Sequence, residues 1–340
     1  MTISRLILTR QQILAFRRRV GALDERLSGR ASSLERAAWA GLQDSMPRAA
    51  LLSIHARVER TRASSWEDPS LVQLWGPRYN VYVVARRDFA IFSLGRLPDN
   101  ARLRRMAEAL ADRLHALLDG RKMTDREAGR ALSEHHNRLR YATLTGRVMM
   151  RWEGSRAPTV WTVPHPEVEP QEARLELARR HLHAFGPTTP DAFAQWAGIA
   201  AREGVAAFNA LHRSLTPVQT PLGDAWILSR DEPAFRADAQ PAAPARLLPS
   251  GDAYFLLQGA DRELLVPDAK HRVALWTPRV WPGAVLVEGE IVGTWRRARA
   301  RVTIEAWKSL SRTAREAVEA EAAALPLPDL RGPIVLRWDG

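Results

Sequence analysis

The sequence predicts an α+β fold in which tandem winged helix-turn-helix modules are followed by a β-rich C-terminal domain. Two observations lead to this prediction. An order of three helices and a two-stranded hairpin occurs twice in succession between residues 96 and 236. Beyond residue 237, short apolar runs alternate with turn residues instead. Because the chain has 340 residues, which exceeds one ordinary core, we expect several domains.

The first copy of this order spans residues 96–168 and begins with two helices. Arg102–Leu118 carries apolar side chains at three- and four-residue spacing, which indicates an amphipathic helix, and Gly120 ends it. Thr124 and Glu127 have the spacing of a capping box. The second helix therefore begins there and runs to about Leu132.

A third helix and a hairpin complete this copy. The pattern predicts a helix over Glu134–Thr143, which Gly146 ends. The strands Arg147–Trp152 and Thr159–Val163 flank the polar loop Glu153–Pro158. In a winged helix, the third helix lies in the major groove and the hairpin loop touches the neighbouring backbone.

The second copy spans residues 169–236 and has the same order. Its three helices are predicted at Glu172–Phe185, from Thr189 through Trp196, and at Arg202–Leu215. Two short strands, Val218–Thr220 and Trp226–Ser229, pair around Gly223-Asp224 as a small wing.

Residues 1–95 fit a looser version of the module. Helices are predicted at Thr9–Val20, Ser33–Leu42 and Pro47–Val58, and a strand at Val81–Ala85. Pro47 stands where a proline in the first turn of a helix belongs.

The last domain, residues 237–340, begins with an Ala- and Pro-rich linker at Ala237–Arg246. The strands that we predict are Ala253–Leu257, Glu263–Val266, Ala284–Val287, Ile291–Trp295 and Arg301–Glu305. A helix over Ser311–Ala324 closes this domain.

Charge and composition limit the possible partners. Lys and Arg number 50 against 38 Asp and Glu, a net charge of +12, which favours a polyanionic partner, although an arginine-rich composition alone gives the same balance. The chain has no cysteine, which excludes disulfides, thiolate zinc sites and cysteine nucleophiles.

No apolar run is long enough for a membrane span, and Met1–Arg10 lacks the features of an export signal. We expect a cytoplasmic protein without a membrane partner.

Four segments resemble the winged-helix DNA glycosylase family that includes AlkZ and YcaQ. They keep the order of that family along the chain: Gly41–Glu59, Ala178–Gly198, Arg246–Leu257 and Leu286–Arg297. The resemblance implies a cationic protein that cradles duplex DNA and hydrolyses the N-glycosidic bond of alkylated or crosslinked purines without metal or cofactor. It also implies a location with the chromosomal DNA.

The resemblance places the chemistry on Gln43-Asp44-Ser45, which corresponds to the Gln-x-Gln or Gln-x-Asp motif of the family. Gln43 matches the first position and Ser45 does not match the second. The Gln43 amide can orient a water molecule, and the Asp44 carboxylate can serve as base or counter-charge if the segment is not helical. Pro47 favours a non-helical approach. The alternative is that Asp44 or Ser45 caps the helix that Pro47 helps to start.

Candidate DNA contacts lie in three places. His55 and Arg57 lie close to the motif, although His55 is equally explained as a partly buried side chain. Asn137, Arg138 and Arg140 lie on the candidate recognition helix, where a merely solvated polar helix looks the same.

The third place is the arginine-rich stretch Arg296, Arg297, Arg299 and Arg301. Strand alternation puts Arg297, Arg299 and Arg301 on one face, where they form either a cationic ribbon for phosphates or a charged edge that prevents aggregation. The histidine pairs 135/136 and 181/183 do not share helix faces, which argues against a metal site.

Three functions fit these observations. The first is a DNA glycosylase, monofunctional because no lysine is obviously placed beside the motif. The second is a non-catalytic DNA-binding protein, such as a lesion sensor, which Ser45 favours. The third is a transcriptional regulator, but no dimerisation heptad is visible, and we expect a monomer on double-stranded DNA.

Overall fold

Three small three-stranded sheets and one five-stranded sheet organise the protein. They are seen in a computed structural model, which describes residues 6–257, 259–328, 330 and 332–339. Residues 1–5 of the first predicted module and residues 258, 329, 331 and 340 of the predicted C-terminal domain lie outside the described residues. No helix in the described ranges is long and apolar enough to cross a membrane.

The first group of elements holds the segment that resembles the glycosylase motif. Its elements are β1 Leu6–Ile7, α1 Arg10–Val20, α2 Ala31–Ala37, β2 Leu42–Gln43, α3 Ala49–Arg57, β3 Leu71–Trp75, β4 Val81–Ala85 and α4 Phe89–Leu94. Strand β4 lies between β2 and β3 and is antiparallel to both.

The predicted helix Ser33–Leu42 is shorter in the structure and ends at Ala37. Gly41 has φ +78, and a Cβ there would lie 2.8 Å from Cε1 of Phe92, so the chain turns at a position that only glycine fits. Leu42 and Gln43 then pair with Val83 and Tyr82. The turn therefore converts the end of the predicted helix into a strand.

The second group confirms most of its predicted elements. It contains α5 Ala101–Leu118, β5 Met123–Thr124, α6 Asp125–Ala131, a 3₁₀ helix His136–Thr145, β6 Val148–Arg151 and β7 Thr159–Thr162. The capping box of Thr124 and Glu127 is present. The third helix is 3₁₀ rather than α, and the hydroxyls of Thr143 and Thr145 donate to carbonyls three residues earlier.

The third group is completed by the N-terminus of the chain. It contains α7 Pro170–Phe185, α8 Pro190–Ala197, α9 Ala201–Leu211, β8 Leu215–Thr220, β9 Gly223–Leu228 and α10 Glu232–Arg236. Strand β1 pairs in parallel with β8, and Phe16 of α1 stacks on Phe235 with ring centroids 3.8 Å apart. The N-terminal segment thus packs in the third group, across the boundary that the sequence suggested.

The C-terminal group contains a five-stranded sheet in the order β10 to β14. Its elements are β10 Ala245–Leu248, α11 Asp261–Leu265, α12 Ala269–Leu275, β11 Gly283–Val287, β12 Glu290–Ala298, β13 Arg301–Ala306, α13 Arg312–Ala323 and β14 Val335–Asp339. The pairing is antiparallel except between β13 and β14.

Two predicted strands of this group are helical in the structure. Residues Ala253–Phe255 form a 3₁₀ helix and Asp261–Leu265 form α11. Asp252 caps the first of them by accepting a hydrogen bond from the N–H of Tyr254. A short apolar run fits a buried strand and a buried helix equally well, so such a cap decides between them.

Candidate active site

The segment Gln43–Pro47 is held between two other parts of the chain. The N–H of Asp44 donates to the carbonyl of Val81 over 2.7 Å, which continues the pairing of β2. On one side, a Cβ at Gly154, in the hairpin loop of the second group, would lie 2.9 Å from Cβ of Pro47. On the other side, a Cβ at Gly251 would lie 3.0 Å from Nε2 of Gln43. The segment is not helical, as the position of Pro47 led us to expect.

Asp44 is buried, and both of its carboxylate oxygens are engaged. Oδ1 accepts the N–H of Ala50 over 3.0 Å and Oδ2 accepts Nε2 of Gln73 over 2.8 Å. The Oε1 atom of Gln73 in turn accepts the N–H of Trp152 over 2.7 Å. Burial raises the pKa of Asp44 to about 6, against the opposing effect of these hydrogen bonds. Asp44 therefore fixes the start of α3 and, through Gln73, the hairpin of the second group.

Gln43 faces a different neighbour. Its Nε2 atom lies beside Gly251, in the loop that follows β10. Its Oε1 atom is buried and has no hydrogen-bond partner among the described residues. An unpartnered buried amide oxygen is uncommon in folded proteins and calls for an incoming donor.

A cavity of about 460 Å³ opens beside Ser45, at the junction of the first and second groups. The hydroxyl of Ser45 donates to Oδ1 of Asn80 over 3.3 Å. The first group supplies Ser45, Trp75 and Tyr79–Val81, and the second supplies Asp125, Arg126, His136, Arg140, Trp152 and residues 154–158. Gln43 and Asp44 are not part of this lining.

The loop that carries Tyr79 has an uncommon backbone. Arg78 and Tyr79 have φ +54 and +59, a region that side chains other than glycine seldom adopt. The Tyr79 ring lies 4.9 Å from Cζ of Arg96 and makes an edge contact with Tyr141 at 5.0 Å between centroids. Local strain of this kind is concentrated at functional sites.

Asp125 is the acidic residue in the lining of this cavity. Only 3% of its surface is exposed, and its Oδ1 has no hydrogen-bond partner among the described residues. Burial raises its pKa, while the nearby charges of His136, Arg126 and Arg140 act in the opposite direction. Sequence reasoning missed this residue because an acid in the first turn of a helix is common.

The structure does not place His55 or Arg57 where DNA can reach them. Arg57 is 3% exposed and makes a two-pronged ion pair with Asp252, with both N–O distances at 2.7 Å. The hydroxyl of Ser53 also donates to Asp252, over 2.6 Å. Burial lowers the pKa of His55 to about 4, helped by Arg26 and Arg246, so its ring is neutral near pH 7. In contrast to the expectation from the sequence, Arg57 holds the C-terminal group against α3.

The candidate recognition segment does present polar side chains. Asn137 and Arg138 are exposed, and Arg138 pairs with Glu134 over 2.9 Å. Arg140 lines the cavity, with its Cζ 6.0 Å from the centroid of the Trp75 ring.

The arginines of the C-terminal group lie at the tip of a hairpin rather than along one strand. Strand β12 ends at Ala298, which pairs with Arg301, and Arg299 sits in the turn with φ +54. The expected alternation of Arg297, Arg299 and Arg301 on one face is therefore wrong. Arg296 and Arg297 are exposed beside the turn, where Nη1 of Arg297 donates to the carbonyl of Arg299 over 3.2 Å.

Comparison with known proteins identifies the family. A family model described as DNA glycosylase AlkZ-like matches residues 8–326. The curated protein "Interstrand DNA cross-link repair glycosylase" of Streptomyces sahachiroi is 29% identical over 160 residues, which are 46% of this chain and 42% of that protein. The match thus spans less than half of that relative's length.

The same fold has been solved before. The structure of the Streptomyces sahachiroi DNA glycosylase AlkZ matches with a TM-score of 0.77 and 18% identity, covering 98% of this chain and all of that one. At this identity the likeness concerns the fold. Because the family model covers most of the sequence, the chain belongs to the DNA glycosylase AlkZ-like family.

Proposed function

We propose that this protein is a DNA repair glycosylase that hydrolyses the N-glycosidic bond of alkylated or crosslinked purines in duplex DNA. The observation that carries the proposal is the cavity beside Ser45, which combines aromatic walls, one carboxylate and cationic side chains in a member of a DNA glycosylase family. Its volume of about 460 Å³ falls in the range of small-molecule sites. A nucleotide must leave the base stack to enter such a site.

Hydrolysis of this N-glycosidic bond requires mainly a positioned water molecule and stabilisation of positive charge on the sugar. A purine alkylated at N7 or N3 is already cationic and leaves readily, so the enzyme has to place a water molecule and stabilise an oxocarbenium-like sugar. Among the residues that line the cavity, none is a lysine, so no Schiff base with the sugar is expected there. We therefore propose a monofunctional, hydrolytic reaction that needs no cofactor.

We propose that the first three groups are winged-helix modules, with limits close to residues 1–95, 96–168 and 169–236, and that residues 237–340 form the C-terminal domain. The exception is the N-terminal segment with β1 and α1, which packs in the third group. The support is the repeated association of helices with a small sheet that contains a hairpin. Limited proteolysis that cut within the groups rather than between them would argue against these limits.

We propose that duplex DNA contacts Asn137, Arg138 and Arg140 in the second group and the hairpin tip with Arg296, Arg297 and Arg299. Most of these side chains are exposed, and the chain carries a net charge of +12. Arginine and asparagine suit phosphates and base edges.

Replacing both Arg297 and Arg299 by glutamine should lower the affinity for DNA and should also make that affinity less dependent on salt concentration. Each lost phosphate contact reduces the slope of log K against log salt by about 0.9, so we expect a reduction of about 2 for the pair. Binding titrations over a salt series measure this slope. Arg312→Gln is the matched control, because its side chain is 92% exposed but lies on α13. An unchanged slope in the double variant would remove the hairpin tip from the interface.

A second function remains to be separated from the first. Ser45 stands where the family motif has Gln or Asp, and Asp44 is engaged in structural hydrogen bonds. These observations favour a non-catalytic DNA-binding protein, a lesion sensor or a regulator.

The release of free base distinguishes the two functions. The purified protein is incubated with duplex DNA carrying N7-methylguanine or N3-methyladenine, or an interstrand crosslink, and free bases and abasic sites are measured. A glycosylase releases the damaged base in proportion to time. Tight, salt-sensitive binding without any release would establish the non-catalytic alternative.

A further inference from the structure

The hydrolysis proposed above needs a proton acceptor near the sugar, and the first group does not supply one to the cavity. There its polar groups are the hydroxyl of Ser45 and the amide of Asn80, which bond to each other, and the phenol of Tyr79, whose pKa is raised by burial. Asp44 is outside the lining, and its two oxygens are already engaged with Ala50 and Gln73. A positioned carboxylate or histidine normally provides such a base.

The second group supplies the carboxylate. Asp125 is the carboxylate among the residues that line the cavity, and it lies there with Arg126, His136 and Arg140. Its Oδ1 atom lacks a hydrogen-bond partner within the described part of the chain, although only 3% of the residue is exposed. A buried carboxylate oxygen without a hydrogen-bond donor destabilises the folded state. Such a residue therefore calls for a functional explanation.

Asp125 is not needed to cap the helix that it begins. Asp125 is the first residue of α6, where a carboxylate favours the helix dipole. Thr124 and Glu127 cap the same helix end with a complete capping box. The N–H of Asp125 is held by the carbonyl of Pro158 over 2.8 Å, which fixes its backbone against the hairpin loop. The residue is thus firmly placed and not required for capping.

We propose that Asp125 is a catalytic residue that accepts the proton of the attacking water in this cavity. The proposal rests on the glycosylase function proposed above. The water oxygen bonds to C1′ of the flipped nucleotide while the bond from C1′ to the purine nitrogen breaks. The electron pair of that bond stays on the nitrogen and neutralises the cationic purine, and the proton of the water passes to the carboxylate of Asp125. The charges of His136, Arg126 and Arg140 favour the ionised form of this carboxylate, against the burial that raises its pKa.

Asp125→Asn tests the role with little change of shape. A positioned general base contributes about 100-fold to 10,000-fold, so we expect the single-turnover rate of base release to fall at least about 100-fold. The affinity for the damaged duplex should stay unchanged. The rise of the wild-type rate with pH should flatten, which a merely structural role would not cause. Glu127→Gln is the matched control, since it removes a carboxylate from the same helix turn outside the cavity, and it should retain the wild-type rate.

Asp125→Ala provides a second test, in which added formate should restore part of the lost rate. Release by Asp125→Asn at the wild-type rate would overturn the role of Asp125 and leave the glycosylase function intact. Absence of release by the wild-type protein would overturn both. If Asp125→Asn also weakens binding or folding, the formate experiment decides. No increase in the base-release rate of Asp125→Ala on addition of formate would then overturn the catalytic role of Asp125.

Discussion

Replacing Arg57 by methionine is expected to destabilise the protein by about 3–5 kcal/mol, the usual result of removing one partner of a buried ion pair. The variant leaves Asp252, which is 0% exposed, without its cationic partner. Methionine keeps much of the volume of the arginine side chain, so the loss reports the charge rather than a cavity. Urea denaturation followed by circular dichroism measures the change in the free energy of unfolding.

A double-mutant cycle separates the ion pair from other effects. In the variant with both Arg57→Met and Asp252→Asn no charge remains unpaired, so it should be clearly more stable than the sum of the single changes implies. Arg236→Met is the control, because it breaks an exposed pair with Glu232 and should change stability by at most about 1 kcal/mol. Equal stability of wild type and Arg57→Met would mean that the pair does not hold the C-terminal group to α3.

The second large effect concerns the chain of hydrogen bonds from Asp44 through Gln73 to Trp152. In Asp44→Asn, the new amide can meet the amide of Gln73 donor to donor, and Gln73 cannot turn round without losing the N–H of Trp152. Leaving a buried donor unsatisfied costs about 1–3 kcal/mol. Thermal and urea unfolding should both show this loss.

Adding Gln73→Glu to Asp44→Asn should restore the stability. The new glutamate can accept from the asparagine and from the N–H of Trp152. The chain of hydrogen bonds is then rebuilt, with the bond between residues 44 and 73 reversed in direction. Gln73→Glu alone places a second carboxylate against Asp44 and should be destabilising. If the double variant were as unstable as the sum of the single variants, these three groups would not act as one unit.

Local signals in the sequence were sufficient for many elements. The capping box at Thr124 and Glu127 marks a helix start, and the break at Gly146, which has φ +70, ends the third helix of the second group. Short elements were harder to predict, since the apolar run at residues 253–257 also fits the 3₁₀ helix that Asp252 caps. The turn at Arg299 interrupts an arginine run that looks continuous in the sequence.

The candidate site could be predicted only in part from the sequence. The resemblance drew attention to Gln43-Asp44-Ser45, and Ser45 does line the cavity. Whether Asp44 faces the cavity depends on Gln73, which is 29 residues away, and on Trp152, which is further still. The burial of Arg57 depends on Asp252, and no local pattern connects residues 195 positions apart. Asp125 lines the cavity only because two groups of elements meet there.

The most direct test of a glycosylase site beside Ser45 is base release by Ser45→Phe in the assay described above. The phenylalanine ring should occupy the space that receives the base, so release should be lost while binding of the damaged duplex persists. Ser214→Phe, an equal change at an exposed position, should retain the rate. Release by a folded Ser45→Phe at the wild-type rate would contradict the assignment of this cavity as the active site.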